Sequence, residues 1–308
     1  MRKAAFLLLL LGLALAAIGR IPFGKSAGDL VLAEGDRAEI EEGMMLCLDR
    51  FDIPRYPSGR PRQYVSEVRT LDTRTGARGA AAISVNHPLR WNGWWIYQYG
   101  HGPDGEGIEC TRLCCVRDPM LPVAALGGLL VLLGALLRGT ELRGTGVPPV
   151  QNGQDARSPG LLRWALALAV VALPVFIIGR AVMRPEPLPA LQSPLMAPHV
   201  AAYAASYLIL LLAAFGIGRR FVPLGFLLMT LGLVLGAVWG KIAWSEWWQF
   251  DPKENWSFFT WLAFALHLGL PPQSRAAKWL LRLGAVLIVV TLTWVNFARM
   301  AAGLHSYA

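Results

Sequence analysis

Acidic residues are scarce: 20 Asp and Glu stand against 29 Lys and Arg, and charged residues fill only 16% of the 308 positions. So little charge, with hydrophobic residues at 55%, excludes a disordered chain and departs from the balance of a soluble domain. Cysteine is sparse as well, with four residues at Cys47, Cys110, Cys114 and Cys115. The run C-x3-C-C lacks a nearby histidine and matches no zinc-ligand spacing. No C-x-x-C-H occurs, so the chain is not itself a c-type cytochrome. Histidines number five, few enough that the place of each can be weighed. No internal repeat is visible.

What the chain has in abundance is apolar sequence. Crossing a bilayer takes roughly 20 mostly apolar residues, with about 17 as a lower limit. Segments 120–137, 161–179, 200–217, 222–243, 257–270 and 279–298 meet or approach that length, the fifth only if Trp256 and the two prolines beyond it extend it to the interfaces. Ala4 to Ile18, behind Met1-Arg2-Lys3, is a signal peptide or an uncleaved anchor, and in either case it directs residues 20–118 to export. The expected fold is a polytopic α-helical membrane protein of about six to seven spans, with an exported β-rich domain between the first and second. Arg138, Arg143, Arg157 and Arg163 flank one loop, Arg219 and Arg220 form another, and Arg275, Lys278 and Arg282 a third. The positive-inside rule assigns these loops to the cytoplasm. That leaves residues 20–118, the loop before residue 256 and the carboxyl terminus outside a bacterial cytoplasmic membrane. The net charge of +9 is thus a topological signal, with membrane lipid as the partner and no nucleic acid expected.

Residues 24–118 alternate apolar and polar positions between Gly and Pro breaks, the pattern of half-buried strands, with a hairpin turn at Asp72 to Gly76. RWNGWWIYQYG is an aromatic strand whose Trp94 and Trp95 read as β-core residues, with ligand contact as the alternative. His87 and His101 lie beside turns and read as surface residues. An exported location makes a structural disulfide the plain expectation for the cysteines, with a redox or metal role as the alternative and no legible pairing. The stretch 138–160, rich in Gly, Pro and polar residues, is a linker between two modules.

Between Trp239 and Trp256 the chain reads WGKIAWSEWWQFDPKENW. Five tryptophans (Trp239, Trp244, Trp247, Trp248 and Trp256), with Phe250, surround Asp251, Lys253 and Glu254 where two apolar segments meet. An aromatic shelf with fixed charges at a membrane surface suits a large, flat, partly charged ligand, and haem fits that description. His199 opens the segment 200–217 and His305 lies beyond the last segment, so both share the outer face with this loop. Two neutral imidazoles on opposite faces of haem give a six-coordinate, low-spin iron. His267 lies eleven residues beyond Trp256, roughly 16 Å deeper along a helix, where an ionisable group points to function or to an interhelical hydrogen bond. Lys241, Lys253, Arg180, Arg184 or Arg299 could meet the haem propionates. Asp251 and Glu254 also have a plain role, capping the helix that begins near Trp256.

WGKIAWSEWWQFDPKENWSFFTW resembles the tryptophan-rich motif of the haem-handling CcsA, CcmC and CcmF proteins. The order of His199, this motif, His267 in FALHL and His305 in GLHSYA resembles CcsA in particular. EGMMLCLDRFDIPRYPSGRPRQYVSEV, ISVNHPLRWNGWWIYQYG and VRDPM are similar to the later part of ResB. The chain therefore looks like a compact ResB–CcsA fusion of system II cytochrome c maturation. Its parts would be an anchor or signal-like segment (1–19), an exported ResB-like domain (20–118), a span (119–137), the linker (138–160) and a CcsA-like membrane domain (161–308).

The resemblance implies a holocytochrome c synthase, a thioether-forming haem lyase that attaches haem b to the C-x-x-C-H of apocytochrome c. His199 and His305 would be the external iron ligands and His267 a ligand within the membrane. Implied partners are apocytochrome c, a thiol reductase and a further ResB-like subunit. The chain departs from the family at Ser245, where Gly is usual, and at Phe250, where Trp is usual, and no second histidine stands ready for His267. Two rival functions are a haem chaperone or exporter that forms no thioether, and a haem-bearing anchor of a quinone-linked oxidoreductase.

Overall fold

The computed structural model describes residues 2–22, 24–144 and 185–293. Eight strands come after the helix α1 (Arg2–Ile18): β1 (Ser26–Leu32), β2 (Arg37–Glu41), β3 (Met44–Asp52), β4 (Val65–Asp72), β5 (Arg78–Ser84), β6 (Leu89–Trp91), β7 (Trp94–Pro103) and β8 (Glu109–Arg117). They form two antiparallel four-stranded sheets, ordered β1-β8-β7-β6 and β2-β3-β4-β5. Strand alternation explains the core between them. Met44, Leu46 and Leu48 of β3 are fully buried, and Leu32, Val68, Ile83, Trp94, Ile96, Leu113 and Cys115 belong to the same cluster. A small polar network, Ser66, Gln98 and Thr111, is buried with its hydrogen bonds satisfied internally at 2.7–3.2 Å. The β4–β5 hairpin turns on Asp72, whose carboxylate accepts from the Arg74 and Thr75 amides at 3.0 and 3.4 Å.

The remaining described helices are α2 (Leu121–Gly144), α3 (Met196–Ala214), α4 (Val222–Trp244), α5 (Pro252–Gly269) and α6 (Arg275–Leu292). α3 and α4 form a hairpin through the left-handed Gly218 and a short 3-10 turn at Arg219–Phe221. A second core joins Tyr207, Leu210, Phe226, Met229, Trp261, Phe264, Leu281 and Ile288 to Leu9 of α1 and Val131 of α2. Trp261 Nε1 donates to Thr230 Oγ1 at 2.9 Å, and Ser206 Oγ donates to the Gly225 carbonyl at 2.7 Å, tying α5 and α3 to α4.

The expected six to seven spans are not found. Among the described residues there are six helices, and two are long and apolar enough to cross a membrane: Met196–Ala214 and Arg219–Trp244. The apolar parts of α1 and α2, Ala4–Ile18 and Leu121–Leu137, are shorter. At 1.5 Å per residue, 17 residues rise only about 25 Å, less than the ~30 Å hydrocarbon layer. α5 opens on Lys253 and Glu254, and α6 carries Arg275, Lys278 and Arg282 in its first half, so neither is apolar along its length. Segment 161–179 lies outside the described residues, as does the end of segment 279–298.

Candidate functional site

α4 ends at Trp244 because Ser245 adopts a left-handed conformation, φ 69° and ψ −2°. That geometry closes a helix and favours glycine, the residue usual here in the family this chain resembles. The carbonyl of Ser245 accepts from Lys241 Nζ at 2.8 Å, which places a buried cation on the C-terminal turn of α4. The chain then turns again at Phe250, φ 58°, whose exposed ring lies beneath the Arg20 guanidinium at 4.9 Å. Arg20 also donates to the Trp248 carbonyl, and Lys25 pairs with Glu246 at 2.6 Å. The segment after α1 thereby clasps the tryptophan-rich loop.

α5 starts at Pro252, earlier than Trp256. Asp251 is its N-cap, accepting from the Lys253 amide at 2.7 Å, and Glu254 reaches back to the amides of Asp251 and Gln249 at 3.3 and 2.7 Å. This capping box satisfies the first-turn donors and holds both carboxylates in a structural role. Pro at the first helical position needs no donor partner.

The loop's tryptophans divide into two groups. Trp248 packs edge-on to Phe258 and Trp256 edge-on to Phe259, both at 6.2 Å, against the first turns of α5. Trp239 and Trp244 pack together at 5.1 Å on α4. Trp247 Nε1 is buried without a hydrogen-bond partner among the described residues, a donor that a bound acceptor would satisfy.

His199, on the first turn of α3, lies against Trp239 (5.9 Å between ring centroids) and Tyr203 (5.2 Å, edge-on). Its Nδ1 meets the Gly232 carbonyl at 2.8 Å, and a carbonyl can only accept. Nδ1 therefore carries the proton, and the lone pair of the neutral ring sits on Nε2, the form in which imidazole ligates a metal. Such close seating is possible because position 236 is glycine: a Cβ there would lie 2.6 Å from His199 Cε1. His267 has the same tautomer, with Nδ1 donating to the Ala277 carbonyl at 2.8 Å, but it lies in the last turn of α5, at the opposite end from the loop. The structure thus brings His199, Trp239 and Trp244 together and leaves His267 apart. His305, Arg180, Arg184 and Arg299 lie outside the described residues.

All four cysteines are free thiols, so no disulfide staples the β-rich domain. The residues sit on strands that the core already holds in register, and the domain closes without a covalent link. Cys114 faces the tryptophan-rich loop, within reach of Ser245 and Asp29. Burial, with the Asp29 carboxylate adding to it, pushes its thiol up to about 11; burial and the Cys114 neighbour push Cys115 to about 12. Both remain protonated thiols at neutral pH.

Asn86 was not foreseen as a site residue. It adopts φ 70° in the turn joining β5 to β6 and is buried against the segment 189–190 and Trp239. The sequence VNHP signals a turn and nothing about its distant partner.

Residues 4–113 match the family model described as ResB-like, and residues 216–305 match the one described as cytochrome C assembly protein. The chain is 45% identical over 92 residues to a "Cytochrome c biogenesis protein CcsA" of Prochlorococcus marinus (strain MIT 9312), 29% of each chain. A protein of the same name from Synechococcus sp. (strain WH7803) is also 45% identical over 92 residues, 29% of this chain and 28% of the relative. The chain spans less than a third of the length of these relatives.

Proposed function

We propose that this chain, a ResB–CcsA-type protein of system II cytochrome c biogenesis, binds haem b at the outer face of the bacterial cytoplasmic membrane and attaches it to apocytochrome c. The observation that carries the proposal is the seat of His199. Its Nδ1 donates to the Gly232 carbonyl, and its ring packs against Trp239 of the cytochrome c assembly segment, which in turn packs on Trp244. The donor set fits haem: an imidazole for the iron, flat aromatic rings for the porphyrin, an unsatisfied indole donor at Trp247 and the buried cation Lys241 for a carboxylate.

In this mechanism His199 and His305 would hold the haem iron. Trp239, Trp244, Trp247, Trp248 and Trp256 exclude water, Phe250 extends the aromatic surface, and Asp251 and Glu254 hold the loop against α5, with Lys253 in the same capped turn. An apocytochrome presents its reduced C-x-x-C-H, and the histidine of that sequence replaces one of the two ligands. Each substrate thiol then adds across a haem vinyl group; the S–H bond breaks, a C–S bond forms and the proton goes to the neighbouring vinyl carbon. No oxidant is needed and no nucleophile comes from this chain. What the chain contributes is positioning, worth up to roughly 7–11 kcal/mol for well-aligned reactants. His267 would be a second, separate haem contact, with a further ResB-like subunit supplying its missing partner; a thiol reductase keeps the substrate cysteines reduced.

The test is co-expression with a C-x-x-C-H reporter in a host lacking its own maturation system. Haem that stays on the reporter in a denaturing gel, and disappears with His199→Ala, supports a synthase. Haem on this chain with an unstained reporter, even when a ResB-like partner is supplied, refutes bond formation and leaves a haem carrier.

A further inference from the structure

We infer that Asn86 is a positioning residue through which the β-rich domain sets the orientation of Trp239 and, through it, of the His199 imidazole; this rests on His199 being the haem ligand proposed above. Asn86 Nδ2 donates to the carbonyls of Pro189 and Ala190 at 2.9 and 3.1 Å, while its Oδ1 accepts from Trp239 Nε1 at 3.3 Å. The Ala190 carbonyl also accepts from Trp239 Nε1, at 3.2 Å. Three segments distant in sequence are therefore joined at one buried point: the β5–β6 turn, the 3-10 turn at Pro189–Gln192 and the outer part of α4.

Asparagine suits this point for two reasons. Its amide offers donors and an acceptor in one plane, which neither Asp nor Leu can do. It also tolerates the left-handed φ of 70° that the turn imposes. Trp239 is almost fully buried, so its ring cannot turn without leaving its indole N–H unsatisfied. The same ring lies against His199, with centroids 5.9 Å apart. The imidazole is thus held on α4 by both Gly232 and Trp239, and Asn86 of the β-rich domain bears on it through its bond to Trp239. Docking of the β-rich domain and ligand geometry become one event, the domain acting on the haem site through the Asn86–Trp239 bond.

The test uses the full chain, purified in detergent after expression with haem. Asn86→Gly keeps the backbone conformation and removes the latch; Trp239→Phe keeps the ring and removes its N–H. Each is expected to lower the low-spin haem per protein roughly fivefold, the factor of about one hydrogen bond. The double variant should be no worse than Asn86→Gly alone, and added imidazole should restore the low-spin spectrum in all three by replacing a misaligned ring. The melting temperature of the β-rich domain in Asn86→Gly checks that it remains folded; if it does not, Trp239→Phe alone decides. Wild-type haem content and spectrum in the folded variants, with haem lost in His199→Ala, would overturn the positioning role and leave the haem site standing. Additive losses that imidazole does not rescue would also overturn it. A spectrum unchanged in His199→Ala would instead bring down the ligand assignment, and the positioning role with it.

Discussion

Replacing Gly236 with alanine tests the seat of His199 without touching the imidazole. The new Cβ would lie 2.6 Å from His199 Cε1 and 2.9 Å from Nδ1, while carbon atoms in contact need about 3.5 Å. The ring must therefore retreat by about 1 Å, and the 2.8 Å bond to the Gly232 carbonyl would stretch past hydrogen-bonding range. Tyr203 and Trp239 close off easy escape. The lost bond costs about 1 kcal/mol and the overpacking ~1–3 kcal/mol, offset by up to ~1 kcal/mol from alanine's better helix propensity. A net loss of about 1–3 kcal/mol is expected, together with a several-fold drop in low-spin haem. Thermal unfolding in detergent, followed by tryptophan fluorescence, measures the first, and the absorption spectrum of the purified protein measures the second. Gly128→Ala is the control, since a Cβ there meets nothing within 4 Å, and it should be neutral or mildly stabilising. A Gly236→Ala protein as stable and as haem-loaded as Gly128→Ala would refute the reasoning.

Ser245→Gly should stabilise the chain by up to ~1 kcal/mol, because glycine adopts φ 69° without strain; a lower melting temperature would show that the serine hydroxyl matters more than the backbone. Asp251→Ala removes the N-cap of α5 and should cost about 1 kcal/mol of stability, read by thermal unfolding, with no change if the loop is held by its aromatic contacts alone. Cys114 and Cys115 should resist iodoacetamide in the native protein at pH 8, since thiols held up to about 11 and 12 carry almost no thiolate there. Their labelling, monitored by mass spectrometry, should rise towards those alkaline values and on denaturation, and prompt labelling at pH 8 would contradict the burial.

The strands of residues 26–117 were legible because one buried face imposes strict alternation, as at Met44, Leu46 and Leu48. The capping residues Asp251 and Glu254 were legible from their place ahead of an apolar segment. The span count was misread because apolar length was judged without helix ends: the polar first turns of α5 and α6, and the short apolar stretches of α1 and α2, appear only once the helices are bounded. The expected disulfide failed because compartment says nothing about which side of a strand a thiol occupies, and Cys114 and Cys115 point to opposite faces of β8. The Asn86–Trp239 contact spans 153 positions, and no local pattern encodes a pairing of that range. Ser245 illustrates the converse, since a departure from a family's glycine could be seen in sequence, while its left-handed backbone gives the reason.

The most direct test of the central claim is the reduced absorption spectrum of the chain purified with haem, compared with that of His199→Ala. Ligation by His199 predicts a six-coordinate, low-spin haem in the wild type that becomes high-spin or is lost in the variant, and returns to low-spin when imidazole is added. The same low-spin spectrum in both proteins would contradict it, and haem would then have to be held elsewhere.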